Sequence, residues 1–202
     1  SSSPGISLKL EGISYIAGAE LPAVIVNVVR GGPGLGTIQP SQADYFQATK
    51  GGGHGDYRML VLAPASVQEM ADFVADAFHL AFKYRNPIMI LSDGVIGQMM
   101  EKVTMPEQTP RLTNEEIKEK FGAWATLGKP ASRERNIITS LELDPNKQEK
   151  HNIKLQAKYK QMCEEEVRYE MINCEDAEYV FVAYGSSARI AQKAMELSLI
   201  HI

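Results

Sequence analysis

Short, continuous apolar runs separated by helical segments constrain the fold of this chain more than any other feature. Each run is rich in Val, Ile and Leu and does not alternate between apolar and polar residues. The four runs cover residues 22–29, 58–63, 87–91 and 179–183. Continuous apolar strands are typical of a sheet that is covered on both faces, and such sheets are mostly parallel. The pattern predicts an α/β fold with an open, mostly parallel sheet flanked by helices.

Helical patterns precede and separate the first three runs. In residues 6–19, apolar side chains recur at spacings of three and four, as in an amphipathic helix. In residues 66–84, Ser66 and Glu69 have the spacing of a capping box. The predicted apolar face of that helix consists of Val67, Met70, Phe73, Val74, Ala77, Phe78, Ala81 and Phe82. A strand, a helix and a second strand in this order form a βαβ unit, so we expect parallel strands.

The second half of the chain differs in composition. Residues 101–143 show no sustained period and predict a connector with one short helix over 114–121. Residues 145–172 are strongly charged and predict a surface helix. The run at 179–183 and the helix expected from Ser186 are too short to form a core of their own.

We therefore predict three regions in this chain. They are a first α/β domain over residues 1–105, a connector with the charged helix over 106–174, and the start of a second α/β domain over 175–202. The chain begins without an initiator Met, and residues 199–202 form an apolar tail without a loop signal. We expect the chain to be an internal piece of a longer protein.

Composition and charge exclude several classes of protein. The 202 residues include 21 basic and 25 acidic side chains, a net charge of −4 that argues against a nucleic-acid-binding protein. No apolar run approaches the roughly 18 residues of a membrane helix, and no signal-peptide pattern begins the chain. The two cysteines, Cys163 and Cys174, are too few for a disulfide framework. We expect a soluble, cytoplasmic protein that binds neither nucleic acid nor membrane.

A glycine-rich segment follows the first apolar run. Residues 30–37 read Arg-Gly-Gly-Pro-Gly-Leu-Gly-Thr. In open α/β sheets, ligands bind beyond the carboxyl ends of the strands. Glycines let the backbone approach a ligand closely, and the Arg30 guanidinium suits a carboxylate or a phosphate. The segment predicts a site for an anionic ligand; the simpler alternative is a flexible surface turn with an incidental arginine.

Two familiar nucleotide-binding motifs do not fit this segment. Its glycine spacing differs from the Gly-x-Gly-x-x-Gly fingerprint of dinucleotide-binding proteins. The frame of a P-loop is present, but Thr37 stands where that motif has lysine. The segment therefore supports neither dinucleotide binding nor ATP chemistry.

Three further segments are candidates for ligand contacts, each with a structural alternative. His54 lies among glycines, where it could transfer a proton or merely occupy a hinge. Asp93 and Gly94 follow the third run and are more typical of a turn. Ser186 or Ser187 could hold an anion at a helix N-terminus, and an N-cap is the simpler account.

Residue spacing gives no indication of a metal site within the chain. The histidines are His54, His79, His151 and His201. They lie far from one another and from both cysteines, so no zinc or iron–sulfur spacing is present. No Gly-x-Ser-x-Gly nucleophile motif occurs either.

Ordered motifs along the chain resemble the alpha subunit of 2-oxoacid:ferredoxin oxidoreductases. They lie at residues 2–8, 11–13, 20–27, 30–34, 42–44, 53–56, 86–93 and 183–189. The most specific is the Arg-Gly-Gly-Pro-Gly motif that begins at Arg30. The resemblance covers essentially the whole chain and is strongest to the 2-oxoisovalerate (3-methyl-2-oxobutanoate) type.

The resemblance implies a thiamine diphosphate enzyme that oxidatively decarboxylates a 2-oxo acid, forms an acyl-CoA and passes electrons to ferredoxin. Residues 1–105 of this chain would supply the pyrimidine domain of the thiamine diphosphate-binding fold, incomplete at its N-terminus. Residues 175–202 would begin a transketolase C-terminal-like domain. A partner beta subunit would hold the diphosphate through Mg²⁺, and other subunits would carry iron–sulfur clusters. CoA would be the co-substrate.

The resemblance also implies roles for individual residues. Arg30 matches the family arginine that faces the substrate carboxylate. Leu35 stands in a segment where many relatives have Pro-Ser-Thr-Gly, and a more apolar pocket suits a branched-chain substrate. The residues expected to contact the cofactor are Gly31, Gly32, Gly34, Gly36 and His54. The glutamate that activates the cofactor lies upstream of Ser1 in the family, so we expect no catalytic residue in this chain and no activity from it alone.

Two other functions are compatible with the same fold. One is a non-catalytic scaffold subunit that has lost the site. The other is a transketolase-like enzyme that does not use ferredoxin. Dependence on CoA and on a low-potential electron acceptor would distinguish the latter from an oxidoreductase.

Overall fold

The computed structural model of this chain describes residues 2–200, and it describes side chains up to residue 198. The elements are α1 (Pro4–Gly18), β1 (Ala23–Val29), α2 (Tyr45–Lys50), β2 (Leu60–Leu62), α3 (Val67–Tyr84), β3 (Pro87–Asp93), α4 (Gly94–Gln98), α5 (Asn114–Phe121), α6 (Pro145–Glu165) and α7 (Gly185–Ile200). Ser1 and the last part of the predicted apolar tail, residues 201–202, lie outside the described residues.

The sheet has three parallel strands in the order β1-β3-β2. The central strand β3 pairs with β1 along its whole length, from Ala23 opposite Pro87 to Val29 opposite Asp93. Every residue of β3 is buried, which accounts for the continuous apolar run in the sequence. The predicted α/β fold with a parallel sheet is confirmed, and all three strands have their carboxyl ends at the same edge.

The prediction of a fourth strand at residues 179–183 is wrong. The structure has no strand there, and Phe181 and Val182 are 93% and 95% exposed. A strand needs a neighbour for its backbone hydrogen bonds, and no strand in residues 2–200 pairs with this segment. The start of a second domain over 175–202 stays a prediction.

Helices cover both faces of the sheet. On one face, Ile88 and Ile90 of β3 pack in a cluster with α3 and α6. On the other face, Met89 and Leu91 pack in a cluster that includes Ile6 of α1. Successive residues of a strand point to opposite faces, so one apolar strand serves both clusters.

The apolar face of α3 differs from the predicted one. Its buried residues are Ala77, Leu80, Ala81 and Tyr84, while Val74, Phe78 and Phe82 are substantially exposed. Small alanines allow α3 to approach β3 closely, and the Phe82 ring lies 4.9 Å from the ring of Phe121 on α5.

The predicted N-terminal cap of α3 at Ser66 is confirmed, since the Ser66 side chain accepts a hydrogen bond from the Glu69 N–H.

The connector helix α5 has the predicted bounds, but α6 is shorter than predicted. It ends at Glu165 and not at residue 172. At this end, the carboxylates of Glu165 and Glu166 accept hydrogen bonds from Lys83 and Tyr84 of α3, and the chain leaves the helix. Most of α6 is exposed, as expected. A stripe consisting of Leu155, Tyr159 and Met162 is nevertheless buried in the core.

A buried carboxylate holds α6 against the opposite edge of the sheet from the strands' carboxyl ends. Glu20 is only 7% exposed and forms ion pairs with Lys154 and Lys158 of α6. Its backbone carbonyl accepts a hydrogen bond from Arg85. Burial raises the pKa of Glu20, but Lys154, Lys158 and Arg85 together outweigh burial and leave this pKa lowered. Burial lowers the pKa of Lys158, while the charge of Glu20 opposes this change. Each charge of the pair therefore helps to keep the other ionised in the buried site.

We expect Glu20→Gln to destabilise the protein by about 2–4 kcal/mol, because it leaves the Lys158 ammonium buried without a counter-charge. Chemical denaturation of the intact subunit measures this change. The matched control is Glu164→Gln, which removes the exposed pair with Lys160, 3.9 Å long, and should cost no more than about 0.5 kcal/mol. Equal losses in the two variants would contradict a structural role for Glu20.

Candidate functional site

A closed loop follows β1 at the carboxyl edge of the sheet. We call residues 31–39 the glycine loop. Its two ends are joined where Arg30 and Pro40 form an isolated antiparallel bridge and the Gly31 N–H donates to the Gln39 carbonyl at 2.9 Å. One residue further, the Ser41 N–H donates to the Val29 carbonyl at 3.3 Å. Because Val29 pairs with Asp93 at the end of β3, the base of the loop lies at the position where open α/β sheets bind ligands.

The glycines of this loop are needed for two different reasons. Gly36 has a φ of +65°, and a Cβ there would lie 1.9 Å from the Gly31 carbonyl oxygen. That oxygen accepts a hydrogen bond of 2.8 Å from the Thr37 N–H, which closes the turn. A Cβ at Gly32 or Gly34 would meet open space, although Gly34 shares the positive φ of Gly36, at +68°. Gly36 therefore allows the loop to close, while Gly32 and Gly34 leave the backbone accessible.

Arg30 is held by one corner of its guanidinium. Its Nη1 donates to the Leu35 carbonyl at 2.5 Å and to the Thr37 carbonyl at 2.8 Å. Among the described residues, no acceptor is bonded to Nε or Nη2. This edge of the guanidinium is the one that can bind a carboxylate through two parallel hydrogen bonds. The loop thus orients the arginine and leaves its second edge available.

The tip of the glycine loop is apolar. Leu35 is 78% exposed, and Ile38 is exposed as well. Neither packs in a core cluster of the described residues. The Leu35 carbonyl therefore accepts a hydrogen bond from Arg30, while the Leu35 side chain is available to contact a ligand or a partner chain.

His54 lies in a second loop that α1 holds. The Ser14 hydroxyl donates to the His54 carbonyl at 2.7 Å, and the imidazole is exposed. A Cβ at Gly53 would lie 2.9 Å from the Leu10 carbonyl oxygen, so this glycine permits close packing on α1. Within residues 2–198, no hydrogen bond or ring contact joins His54 to the glycine loop. Its contact with a cofactor stays a prediction.

The sequence did not indicate the cluster formed by Asp93, Gln42 and Ser186. Asp93 is 3% exposed, and its Oδ1 accepts hydrogen bonds from the N–H groups of Val95 and Ile96, which caps α4. Its Oδ2 accepts from the Ser186 hydroxyl at 2.7 Å, the Ser186 N–H at 3.2 Å and Gln42 Nε2 at 3.3 Å. The expected turn at Asp93 is thus a helix cap. Ser186, expected as an N-cap, is a donor to this carboxylate.

A small cavity of about 210 Å³ opens beside this cluster. Its lining consists of Pro40, Ser41, Gln42, Asp93, Val95, Ser186 and Ser187. These residues come from three distant parts of the chain, which a local motif cannot reveal. The cluster joins the far end of the glycine loop to β3 and α7.

We expect Asp93→Asn to lower the free energy of unfolding at pH 7 by about 2–4 kcal/mol, because an amide nitrogen in place of Oδ2 cannot accept the three donors around it. Burial raises the pKa of Asp93, but the hydrogen bonds from Ser186, Ile96 and Gln42 outweigh it and leave this pKa lowered. The carboxylate therefore stabilises the fold above about pH 4, and this contribution is lost as the pH falls through the lowered pKa.

Denaturation between pH 7 and pH 2 tests this expectation. The variant should lose less stability with acid than the wild type does. Parallel curves for the two proteins would contradict the role of the ionised Asp93.

Neither a metal cluster nor a membrane helix is found in the part of the chain that the structure describes. No group of three or more His, Cys, Asp or Glu side chains there could hold a metal ion. Cys163 and Cys174 are both free. No helix among the described residues is long and apolar enough to cross a membrane.

Comparison with known proteins agrees with the motifs. The family model described as "Pyruvate flavodoxin/ferredoxin oxidoreductase, thiamine diP-bdg" matches residues 1–172. The ketoisovalerate oxidoreductase subunits VorB of Methanothermobacter marburgensis and Methanothermobacter thermautotrophicus are 55% and 53% identical to this chain, over 97% of its length and 54% of theirs. The 2-oxoglutarate synthase subunit KorA of Archaeoglobus fulgidus is 38% identical, over 97% of this chain and 55% of its own. The chain thus spans about half the length of these relatives.

A solved structure has the same fold. It is the 2-oxoglutarate:ferredoxin oxidoreductase from Magnetococcus marinus with 2-oxoglutarate, coenzyme A and succinyl-CoA bound. It matches 99% of this chain and 39% of its own chain with a TM-score of 0.70 and 24% identity. The resemblance drawn from the motifs is confirmed: the chain belongs to the pyruvate flavodoxin/ferredoxin oxidoreductase family and carries the thiamine diphosphate-binding domain of that family.

Proposed function

We propose that this chain is part of the alpha subunit of a 2-oxoacid:ferredoxin oxidoreductase. The reaction converts a 2-oxo acid, CoA and two oxidised ferredoxins into an acyl-CoA, CO₂, two reduced ferredoxins and a proton. The bond between the carboxylate and the 2-oxo carbon breaks, and a thioester bond forms at that carbon. Ferredoxin receives the two electrons.

One observation carries the proposal more than any other: an oriented arginine stands at the ligand-binding edge of a parallel sheet. The loop carbonyls of Leu35 and Thr37 fix Arg30 Nη1, and the edge formed by Nε and Nη2 has no bonded acceptor among the described residues. A 2-oxo acid has a planar carboxylate that fits this edge. Arg30 would bind and orient the substrate carboxylate before decarboxylation.

The loop also fits the cofactor that the family binds. The backbone at Gly32 and Gly34 is unobstructed, so a ring can approach it closely. We propose that Gly31, Gly32, Gly34 and Gly36 shape the pocket against thiamine diphosphate, with His54 as a further contact. When bound, this cofactor supplies the carbanion stabilisation that decarboxylation needs. The chain's own contribution is to position the substrate.

The substrate is proposed to be 2-oxoisovalerate. Leu35 and Ile38 give the loop an apolar tip, which suits a branched aliphatic group better than a second carboxylate. The 55% and 53% identity to ketoisovalerate oxidoreductase subunits extends over 97% of this chain, whereas 2-oxoglutarate synthase subunits are 38% identical over 97% of the chain or 49% identical over 53% of it, which supports the same choice.

The remaining components are proposed to lie outside this chain. A beta subunit would hold Mg²⁺ and the diphosphate, other subunits would carry iron–sulfur clusters, and the assembled complex would act with ferredoxin in the cytoplasm. Within the chain, we keep the predicted regions 1–105, 106–174 and 175–202 as a proposal for its domain organisation.

An anaerobic assay of the full-length alpha subunit assembled with its partner subunits tests the proposal. Viologen reduction is followed with 2-oxoisovalerate, 2-oxoglutarate or pyruvate, each with and without CoA and thiamine diphosphate. We expect reduction that needs both cofactors and is fastest with 2-oxoisovalerate. An assembled complex that neither reduces viologen nor consumes any of the three 2-oxo acids would favour a scaffold subunit. Consumption of a 2-oxo acid without CoA and without viologen reduction would favour a transketolase-like enzyme.

A further inference from the structure

The side chain of Gln42 has a bonding partner for each of its polar atoms. Its Nε2 donates to the Tyr184 carbonyl at 2.8 Å and to Asp93 Oδ2 at 3.3 Å. Its Oε1 accepts from the Ser187 hydroxyl at 2.8 Å. The Gln42 carbonyl also accepts from the Tyr184 hydroxyl at 3.2 Å. Such an amide has one orientation only and joins residues 184–187 to the end of β3.

Gln42 also lies just beyond the glycine loop. Pro40 forms the bridge with Arg30, and the Ser41 N–H donates to the Val29 carbonyl. Residues 40–42 are therefore the segment through which the chain leaves the glycine loop. A Cβ at Gly94 would lie 3.3 Å from the Pro40 ring, which shows how closely this base packs on α4. We therefore expect a displacement of Gln42 to displace Pro40, which forms the isolated bridge with Arg30.

We propose that Gln42 is a positioning residue that fixes the direction of the Arg30 guanidinium through the base of the glycine loop. Nothing in the geometry requires Gln42 to touch the substrate. Its amide connects the loop to Asp93 and to α7, so Arg30 is held through Ser187, which lies 145 positions beyond Gln42. The proposal rests on the carboxylate-binding role proposed above for Arg30.

A positioning role predicts a specific kinetic pattern. If Arg30 is loosened but not removed, substrate is bound less well while the chemistry after binding is largely retained. For Gln42→Leu, which keeps the volume and removes the hydrogen bonds, we expect KM for the 2-oxo acid to rise about tenfold and kcat to fall less than about threefold. The milder Ser187→Ala removes only the bond to Oε1 and should raise KM by about two- to threefold.

Hydrogen exchange gives a readout that does not depend on turnover. The N–H groups of Gly31, Thr37 and Ser41 are bonded within the loop or its base. In the intact subunit carrying Gln42→Leu, peptides that cover residues 31–41 should exchange faster than in the wild type. The matched control is Gln47→Leu on α2. Within the described part of the chain the Gln47 side chain has one hydrogen bond, to Ser7 Oγ at 3.4 Å, so its loss should leave both exchange and kinetics unchanged.

The outcomes separate this proposal from the proposed function. A wild-type complex that turns over no 2-oxo acid overturns the proposed function, and with it the carboxylate role of Arg30; exchange then decides alone whether Gln42 holds the loop. Unchanged exchange in Gln42→Leu overturns the positioning role. Faster exchange with an unchanged KM in an active complex overturns it too, because the loop would then move without affecting substrate binding.

Discussion

Replacing Arg30 with alanine is expected to lower kcat/KM for the 2-oxo acid by at least about 10²-fold, because the substrate carboxylate loses a bidentate, charge-assisted partner worth about 3 kcal/mol. The loop carbonyls of Leu35 and Thr37 would also lose the donor that holds them together. Initial rates of viologen reduction by the assembled complex, measured over a range of 2-oxoisovalerate concentrations, give this value.

Two further variants make the Arg30 result specific. Arg30→Lys keeps the charge but has no planar fork, so it should fall between the alanine variant and the wild type. Arg168→Ala removes an exposed arginine that pairs with Asp76 on α3, and it should leave kcat/KM unchanged. If Arg30→Ala retains wild-type kinetics, the carboxylate-binding role is excluded.

Gly36→Ala is the second substitution for which we expect a large loss of activity, of about 10²-fold. A methyl group at this position would lie 1.9 Å from the Gly31 carbonyl oxygen, on a backbone with a φ of +65°. The loop has to open to relieve this contact, and the hydrogen bond from Thr37 to Gly31 that closes the turn is broken. Arg30 then lacks its two carbonyl partners in the places where they orient it, and we expect this loss of orientation to lower kcat/KM for the 2-oxo acid by about two orders of magnitude.

Stability should change far less than activity in this variant. The loop is exposed, so strain at Gly36 should cost about 1–3 kcal/mol of folding free energy and leave the sheet intact. Gly12→Ala on α1 is the control, because its Cβ would have nothing within 4 Å and alanine favours a helix. Wild-type turnover in Gly36→Ala, with the substituted loop shown to be folded, would mean that the closed loop is not needed for the reaction.

Local sequence signals predicted those parts of the fold that depend on neighbouring residues. The run of apolar residues in β3 marks a strand covered on both faces, and the Ser66 cap marks the start of α3. The segment at 179–183 has the same apolar signal as β3, yet it is exposed and unpaired. An apolar pattern reports what a segment can bury, and it does not report whether a neighbouring strand is present.

The candidate site also has a part that depends on adjacent residues and a part that depends on residues far apart in the sequence. Arg30 and the glycines that follow it are adjacent in sequence, so their strand-end position could be predicted from composition and order. The contacts of Asp93 with Gln42 and Ser186 join residues 51 and 93 positions apart, and no spacing rule connects them. The prediction of the apolar face of α3 was partly wrong for a related reason. Whether alanine or phenylalanine side chains of α3 face the sheet depends on how closely β3 approaches the helix.

The strand order delays assembly of the sheet during synthesis. Among the described strands, β1 and β2 come earlier in the chain and are not paired with each other; both pair with β3, which follows them. As the chain leaves the ribosome, β1 therefore lacks its partner among the described strands until Pro87 and the residues after it have emerged. Closing so long a segment before any pairing occurs carries an entropic cost and slows folding. Pairing of the three described strands therefore has to wait for the central strand, and we expect the apolar residues of β1 to lack their β3 neighbours until then.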